Sequence, residues 1–192
     1  MKKLIFIILA AYAAVFTLNA HAAGTTLSAD TTKKKGKPPV IFPTPPVNPN
    51  RMFYVQRDPN PNTAIYELNI KNGQLNEDEP IHPYWIKYND KGQHEELNYI
   101  QRKFAYGLNQ KRLGTDKWDI RFVSYKKLAM ELMKGNDGKY HIFALFGQKQ
   151  AILNRIFVRI EGGSFWIPNV VYVELKGTDP STGQELTERF KP

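Results

Sequence analysis

Apolar residues along the chain recur mostly at every second position, in short runs broken by turn formers, which is the signature of half-buried strands. Arg51 to Asp58 (RMFYVQRD) alternates aromatic and β-branched residues and ends in Asp58-Pro59-Asn60-Pro61-Asn62. Thr63 to Ile70 resumes the alternation, with Ala64, Tyr66, Leu68 and Ile70 on one side and Glu67 and Asn69 on the other, so the two runs predict an antiparallel hairpin. After Asn72-Gly73 a third strand is expected over His82 to Tyr88, with Tyr84, Ile86 and Tyr88 inward and Trp85 and Lys87 outward. Between Glu95 and Ala105 the period changes. Leu97, Ile100 and Phe104 fall at helical spacing, Glu95 and Glu96 stand in the first turn, Arg102 and Lys103 in the last, and Gly107 stops the helix.

Strands then return. Trp118, Ile120 and Phe122 share a face, as do Leu128, Met130 and Leu132, and Asn136-Asp137-Gly138 marks a hairpin turn. Tyr140 to Phe146 is apolar on both faces and is expected to be a central strand covered on each side. Ala151 to Ile160, Phe165 to Lys176 and Gln184 to Phe190 complete the set, with Pro168 at an edge or bulge because it cannot donate to a ladder. The fold class that follows is all-β, mainly antiparallel, with about nine strands and one short helix. Its shape is a curled sheet or barrel, with a β-sandwich as the alternative. The expected shared core is Tyr66, Leu68, Ile86, Leu132, Val158 and Val173.

The N-terminal quarter reads differently. Lys2 and Lys3 precede an apolar run closed by Ala20-His21-Ala22, the pattern of a signal peptide over 1–22. The run is too short for a spanning helix, so no transmembrane segment is expected in the mature chain. Residues 23–50 are expected to be a disordered and proline-rich leader, with a lysine cluster at 33–37 and six prolines between Pro38 and Pro49. The prolines make the second part extended, either as a spacer or docked along the domain. A single β-rich domain over 51–192 follows. Removing Lys2 and Lys3 leaves 25 basic residues against 18 acidic, a net charge of +7. In a periplasmic or secreted protein that charge points to anionic glycans or lipid headgroups rather than nucleic acid.

The chain contains no cysteine, which excludes disulfides, thiol catalysis and Cys-ligated metals. It also lacks a phosphate loop, a His-Glu-x-x-His zinc motif, a nucleophile elbow and a calcium loop. His82, His94 and His141 are widely spaced, and Ser124, Ser164 and Ser181 have no neighbouring histidine, so no cofactor, metal or catalytic residue is assigned. Three groups remain as ligand-binding candidates. Arg51, Tyr54, Gln56 and Arg57 lie on the first strand, where Arg51 and Arg57 share a parity and offer two-pronged anion binding. His82, Tyr84, Trp85 and Tyr88 offer an aromatic platform for a sugar, with Trp85 its outward member. Arg102, Tyr106 and Arg121 are expected to converge where the helix leaves the sheet. The leading reading is an exported, non-enzymatic domain that binds a small anionic or carbohydrate-like ligand or an envelope protein partner. The alternatives are an envelope hydrolase with an Asp/Glu/His site, and a purely structural interaction domain.

The segments NPNRMFYVQRDPNPNTAIYELN, HPYWIKY, QRKFAYG and IPNVVYVELKG, in that order, resemble the bacterial secreted domain-of-unknown-function family 4833. The resemblance covers most of Asn48 to Phe190. It implies export and one integral domain, and brings no assigned activity.

Overall fold

The computed structural model describes residues 41–163 and 168–192. The expected signal peptide, residues 23–40 of the leader, Ser164, and residues 165–167 at the start of the expected Phe165 to Lys176 strand lie outside the described residues. Among the described residues thirteen strands run in chain order: β1 Arg51–Arg57, β2 Asn60–Leu68, β3 Ile70–Lys71, β4 Gln74–Leu75, β5 Ile81–Lys87, β6 Gln93–Glu96, β7 Leu108–Gly114, β8 Lys117–Phe122, β9 Met130–Lys134, β10 Tyr140–Phe146, β11 Lys149–Gly163, β12 Pro168–Thr178 and β13 Glu185–Phe190. One helix, α1, lies between β6 and β7: an α-helical turn, Tyr99–Gln101, widens into π-helical Arg102–Tyr106. Eleven strands form a single mixed sheet curled into a half-barrel, and β3 and β4 make a separate small hairpin.

β11 organises the sheet. One of its edges pairs with β12 along nearly its whole length. The opposite edge carries two partners end to end: β10 antiparallel over Lys149 to Ile152, and β1 parallel over Arg155 to Val158. From those partners two arms extend, β1-β2-β5-β6 and β10-β9-β8-β7. Their inner faces converge on one core that includes Phe53, Tyr66, Trp118, Met130, Leu132, Ile142 and Leu153, all fully buried. Each such side chain contributes about 1.5–3 kcal/mol before ordering entropy is subtracted.

The mainly β, curled-sheet architecture is the one expected, and the strand count exceeds nine. β6 and β7 were not anticipated, because both are edge strands whose residues are mostly exposed and carry no burial alternation. β5 has the opposite facing from that expected. Ile81 and Trp85 join the inner core, whereas Tyr84 and Ile86 face outward against residues 45–49. Ile86 is therefore absent from the shared core. Lys87 shares Trp85's side of the strand and is buried, with its ammonium 3.1 Å from Glu95. β10 is central by pairing, yet Leu145 on its outer face is 57% exposed, so that face is not fully covered.

The helix also differs. Glu95 and Glu96 end β6, and the helix starts at Asn98, whose side chain accepts from Gln101 N at 2.9 Å while Gln101 Oε1 accepts from Asn98 N at 3.0 Å. This is a reciprocal capping box. Leu97 is buried ahead of it, but Ile100 and Phe104 are exposed, and Ala105 and Tyr106 point to the core instead.

The β12–β13 turn depends on Asp179, which is buried. Its carboxylate pairs with Lys149 and accepts from Ser181 N at 2.9 Å and Ser181 Oγ at 2.7 Å. Lys149 first, then Ser181, hold the carboxyl well below the usual carboxylate range. Stability from such a group is fully present above the unfolded pKa of about 3.9 and is lost as pH falls through the depressed native value. Asp179→Asn is expected to melt below the parent chain at neutral pH. The gap in thermal midpoint should close as the buffer is taken from about pH 5 toward about pH 2.

Candidate functional site

The concave side of the half-barrel is closed at one end by α1, and the helix position follows from local chemistry. After the capping box fixes its start, the widened turn rotates Ala105 and Tyr106 onto the sheet. Gly107 ends it in extended geometry, and a Cβ there would lie 1.8 Å from Arg102 O. Three further hydrogen bonds pin that end: Tyr66 OH donates to Tyr106 O at 2.9 Å, Ser124 Oγ to Ala105 O at 2.7 Å, and Val123 N to Gly107 O at 3.0 Å. The Trp85 indole lies at 4.6 Å from the Tyr106 ring, and its N–H donates to Gln101 Oε1 at 3.4 Å.

Beneath this end lies a cavity of about 60 Å³ walled by Val55, Ile156, Val158 and Val173 from the sheet floor, Ala105 and Tyr106 from the helix, and Phe122, Ser124, Tyr125, Leu128 and Phe190 at its rim. Its lining is almost wholly apolar. Burial pushes the Tyr106 phenol up, with the positive charge of Arg57 pulling the other way, and burial likewise raises Tyr125. Both stay neutral across the physiological range, so the cavity walls carry no ionised side chain. Tyr125 and Phe190 stack at 6.2 Å, and with Leu128 they also border an outer depression of about 210 Å³. Lys127, Leu145, Leu175 and Glu188 complete that depression, and Glu188 is occupied in accepting from Gly147 N at 2.6 Å. The apolar cavity thus shares Tyr125, Leu128 and Phe190 with an outer depression that Lys127 and Glu188 also line.

Of the ligand-binding candidates singled out from sequence, only Tyr106 lines this cavity. A bulge between Arg51 and Phe53 breaks the parity expected for Arg51 and Arg57. Arg51 lies on the outer face, donating to Pro45 O at 3.1 Å and Pro46 O at 2.6 Å with its guanidinium 5.3 Å from the Tyr54 ring. Arg57 stands near Tyr106, and its buried Nε has no hydrogen-bond partner among the described residues. Trp85 is an inner core residue rather than an outward platform. Arg102 is 3.6 Å from Glu96, and Arg121 is held by Asp119 at 2.9 Å and by Lys126 O at 2.8 Å. The expected convergence of Arg102, Tyr106 and Arg121 does not occur. Instead the structure joins members of the first two groups: Arg51, Tyr54, Tyr84 and Tyr88 share the outer face of the first arm, close enough for Arg51 to act electrostatically on both Tyr84 and Tyr88.

A second, polar depression of about 470 Å³ lies beside that face, bordered by Glu67, Asn69, Lys71, Glu79, His82 and Arg102. Next to it, Glu96 receives both His82 and His94, each at 3.1 Å. Burial pushes the Glu96 carboxyl up, but the two histidines outweigh it and the net shift is downward. Tyr84 donates to Glu67 at 3.1 Å, and burial followed by the charge of Glu67 raises its phenol to about 12. Among the described residues no group of three His, Cys, Asp or Glu is placed to hold a metal ion.

Residues 53–189 match the family described as Domain of unknown function (DUF4833). The chain belongs to that family. The match runs from β1 to β13, so it takes in α1 and every cavity wall except Phe190, and it begins after the proline-rich segment. No curated protein sequence and no solved structure matches the chain. What sequence reading missed in this DUF4833 domain is the rim, Phe122 to Leu128. Its signal was a loop, Tyr125-Lys126-Lys127-Leu128, that keeps an aromatic and an aliphatic residue where a solvated turn would have polar ones.

Proposed function

We propose that this DUF4833 domain is an exported, non-enzymatic binding domain that takes the apolar end of a small anionic amphiphile into the half-barrel. The observation that carries the reading is the apolar cavity beneath α1 together with the adjoining depression, which shares Tyr125, Leu128 and Phe190 with it and is also lined by Lys127. Ligand sites of this kind are concave and mostly apolar, with few polar groups that fix orientation. Export rests on Lys2, Lys3, the apolar run and Ala20-His21-Ala22, and it would place the domain in the periplasm or outside the cell, where amphiphiles derived from the envelope occur.

Octanoate and octanol serve as probes. Octanoate is expected to bind the full chain at one site and to change tryptophan fluorescence, since Trp85 contacts the cavity wall through Tyr106. Val173→Phe fills the cavity and should abolish binding of both probes. Lys127→Glu should weaken octanoate about tenfold while leaving octanol unchanged, a difference of about 1.4 kcal/mol. Equal loss for the two probes in Lys127→Glu, or no saturable binding of either, would overturn the reading.

A second reading places an anionic or carbohydrate-like ligand in the polar depression. It is favoured by the mixture of Arg102, Lys71, His82 and Asn69 with two carboxylates around one open concavity.

A further inference from the structure

The short helix α1 carries apolar residues on two sides. Ala105 and Tyr106 are buried in the core, whereas Tyr99, Ile100 and Phe104 are 70%, 45% and 46% exposed. Lys103 shows that the outer rings share one side: its ammonium donates to Tyr99 OH at 2.7 Å and lies 5.1 Å from the Tyr99 ring and 5.5 Å from the Phe104 ring. Ile100 stands beside Tyr99 and four residues before Phe104, which puts it on the same side. A helix that is apolar all round ordinarily lies inside a protein. This one presents its second side to solvent, with a cation held between two aromatic rings.

The charge around that side is positive. Ser124 Oγ and Val123 N bond the last turn of the helix, and the loop they begin brings Lys126 and Lys127 to the same end, both exposed. Among the described residues Lys103, Lys126 and Lys127 make no ion pair, although Lys127 shares its depression with Glu188. The acids just before the helix are engaged: Glu95 with Lys87 at 3.1 Å, and Glu96 with His82, His94 and Arg102. We infer that the outer side of α1 docks the domain on an anionic bilayer surface, with Tyr99, Ile100 and Phe104 entering the headgroup layer and the three lysines meeting its negative charge. Short amphipathic helices lie in that plane by apolar burial together with attraction to anionic lipid. Tyrosine suits it with an apolar ring and a polar tip, and lysine keeps its ammonium among the headgroups above an apolar stem. A second copy is the poorer occupant, because two such faces would bring their unpaired ammonium groups together.

Since the chain has no cysteine, Ile100→Cys and Leu113→Cys each create a unique thiol for an environment-sensitive fluorophore in the full chain. Leu113 is 51% exposed toward the far end of β7 and serves as the control. The probes are vesicles of phosphatidylcholine alone and of equal parts phosphatidylcholine and phosphatidylglycerol, both without octanoate. The label at 100 is expected to shift to the blue saturably with the anionic vesicles and to need at least about tenfold more lipid with the neutral ones, while the label at 113 stays unshifted. Tyr99→Ser with Phe104→Ser, or Lys103→Glu alone, should raise the anionic lipid needed by at least about tenfold. Their thermal midpoints should hold, because all three side chains are exposed. The inference fails if the label at 100 does not shift, if both positions shift equally, if the two vesicles act alike, or if the serine variant docks as the parent chain does. Attachment only through the apolar run near the N-terminus leaves the label at 100 unshifted and so counts against it. It fails in favour of a second copy if the label shifts with protein concentration alone, together with a move to dimer. Docking is read without octanoate, so its loss and the loss of octanoate binding are separate results.

Discussion

Replacing Tyr66 with alanine lowers the stability of the folded chain by about 3–5 kcal/mol, read as a fall in the urea midpoint at unchanged slope. Tyr66 is fully buried, stacks on Phe53 at 4.4 Å and 3°, and meets the edge of Phe122 at 5.6 Å and 88°. Aromatic contacts of this geometry add to what area burial alone provides. The residue also joins the sheet to the helix through its bond to Tyr106 O, so alanine leaves both a void and a carbonyl without that donor. Tyr66→Phe separates the two effects, because it keeps the ring and removes only the hydroxyl, and it should cost about 1–2 kcal/mol. An alanine variant that loses less than about 1.5 kcal/mol would show that Phe53, Tyr66 and Phe122 do not act as one packed unit.

Gly107→Ala is the second large effect. The added Cβ would stand 1.8 Å from Arg102 O and 2.8 Å from Arg102 C, and neither is the movable end of a flexible side chain. The last turn of α1 must shift, at a cost of about 3 kcal/mol, the upper end for overpacking. Because Ala105 and Tyr106 are cavity walls immediately before the glycine, octanoate affinity should fall by more than about tenfold, or 1.4 kcal/mol. Gly114→Ala is the control. It has open space around the same atom and lies on an edge strand, so it should change neither quantity measurably. Equal effects at both glycines would refute the steric account.

The curled all-β architecture was legible because β8, β9 and much of β11 alternate cleanly, and their inward members Trp118, Ile120, Met130, Leu132 and Val158 are in the core. Facing failed on β5 because the proline-rich segment covers its second side. With Trp85 on one face and Tyr84 and Ile86 on the other, both faces are apolar and alternation carries no direction. Lys87 added a false cue, since a lysine normally marks the solvent side, but this one is buried beside Glu95. The helix start was encoded in Asn98-x-x-Gln101, and the acidic pair before it drew attention away. Its inward face was not encoded in simple periodicity, because the π-helical widening after Gln101 changes the phase that Leu97, Ile100 and Phe104 suggest. The candidate site was legible only in Tyr106. A bulge relocated Arg51, and local partners such as Asp119 held the other arginines where they stand.

The placement of two strands end to end on one edge of β11 bears on how the polypeptide acquires its shape. Tyr54 pairs with Arg155, and Gln56 bonds the same arginine across 99 positions, so the first strand cannot complete its ladder until most of the molecule has been synthesised. Such distant pairing slows folding, because loop closure precedes any reward from contact. A nascent chain halted before Ile156 would leave Phe53 and Val55 with an open flank. The C-terminal third therefore decides when the N-terminal arm can close.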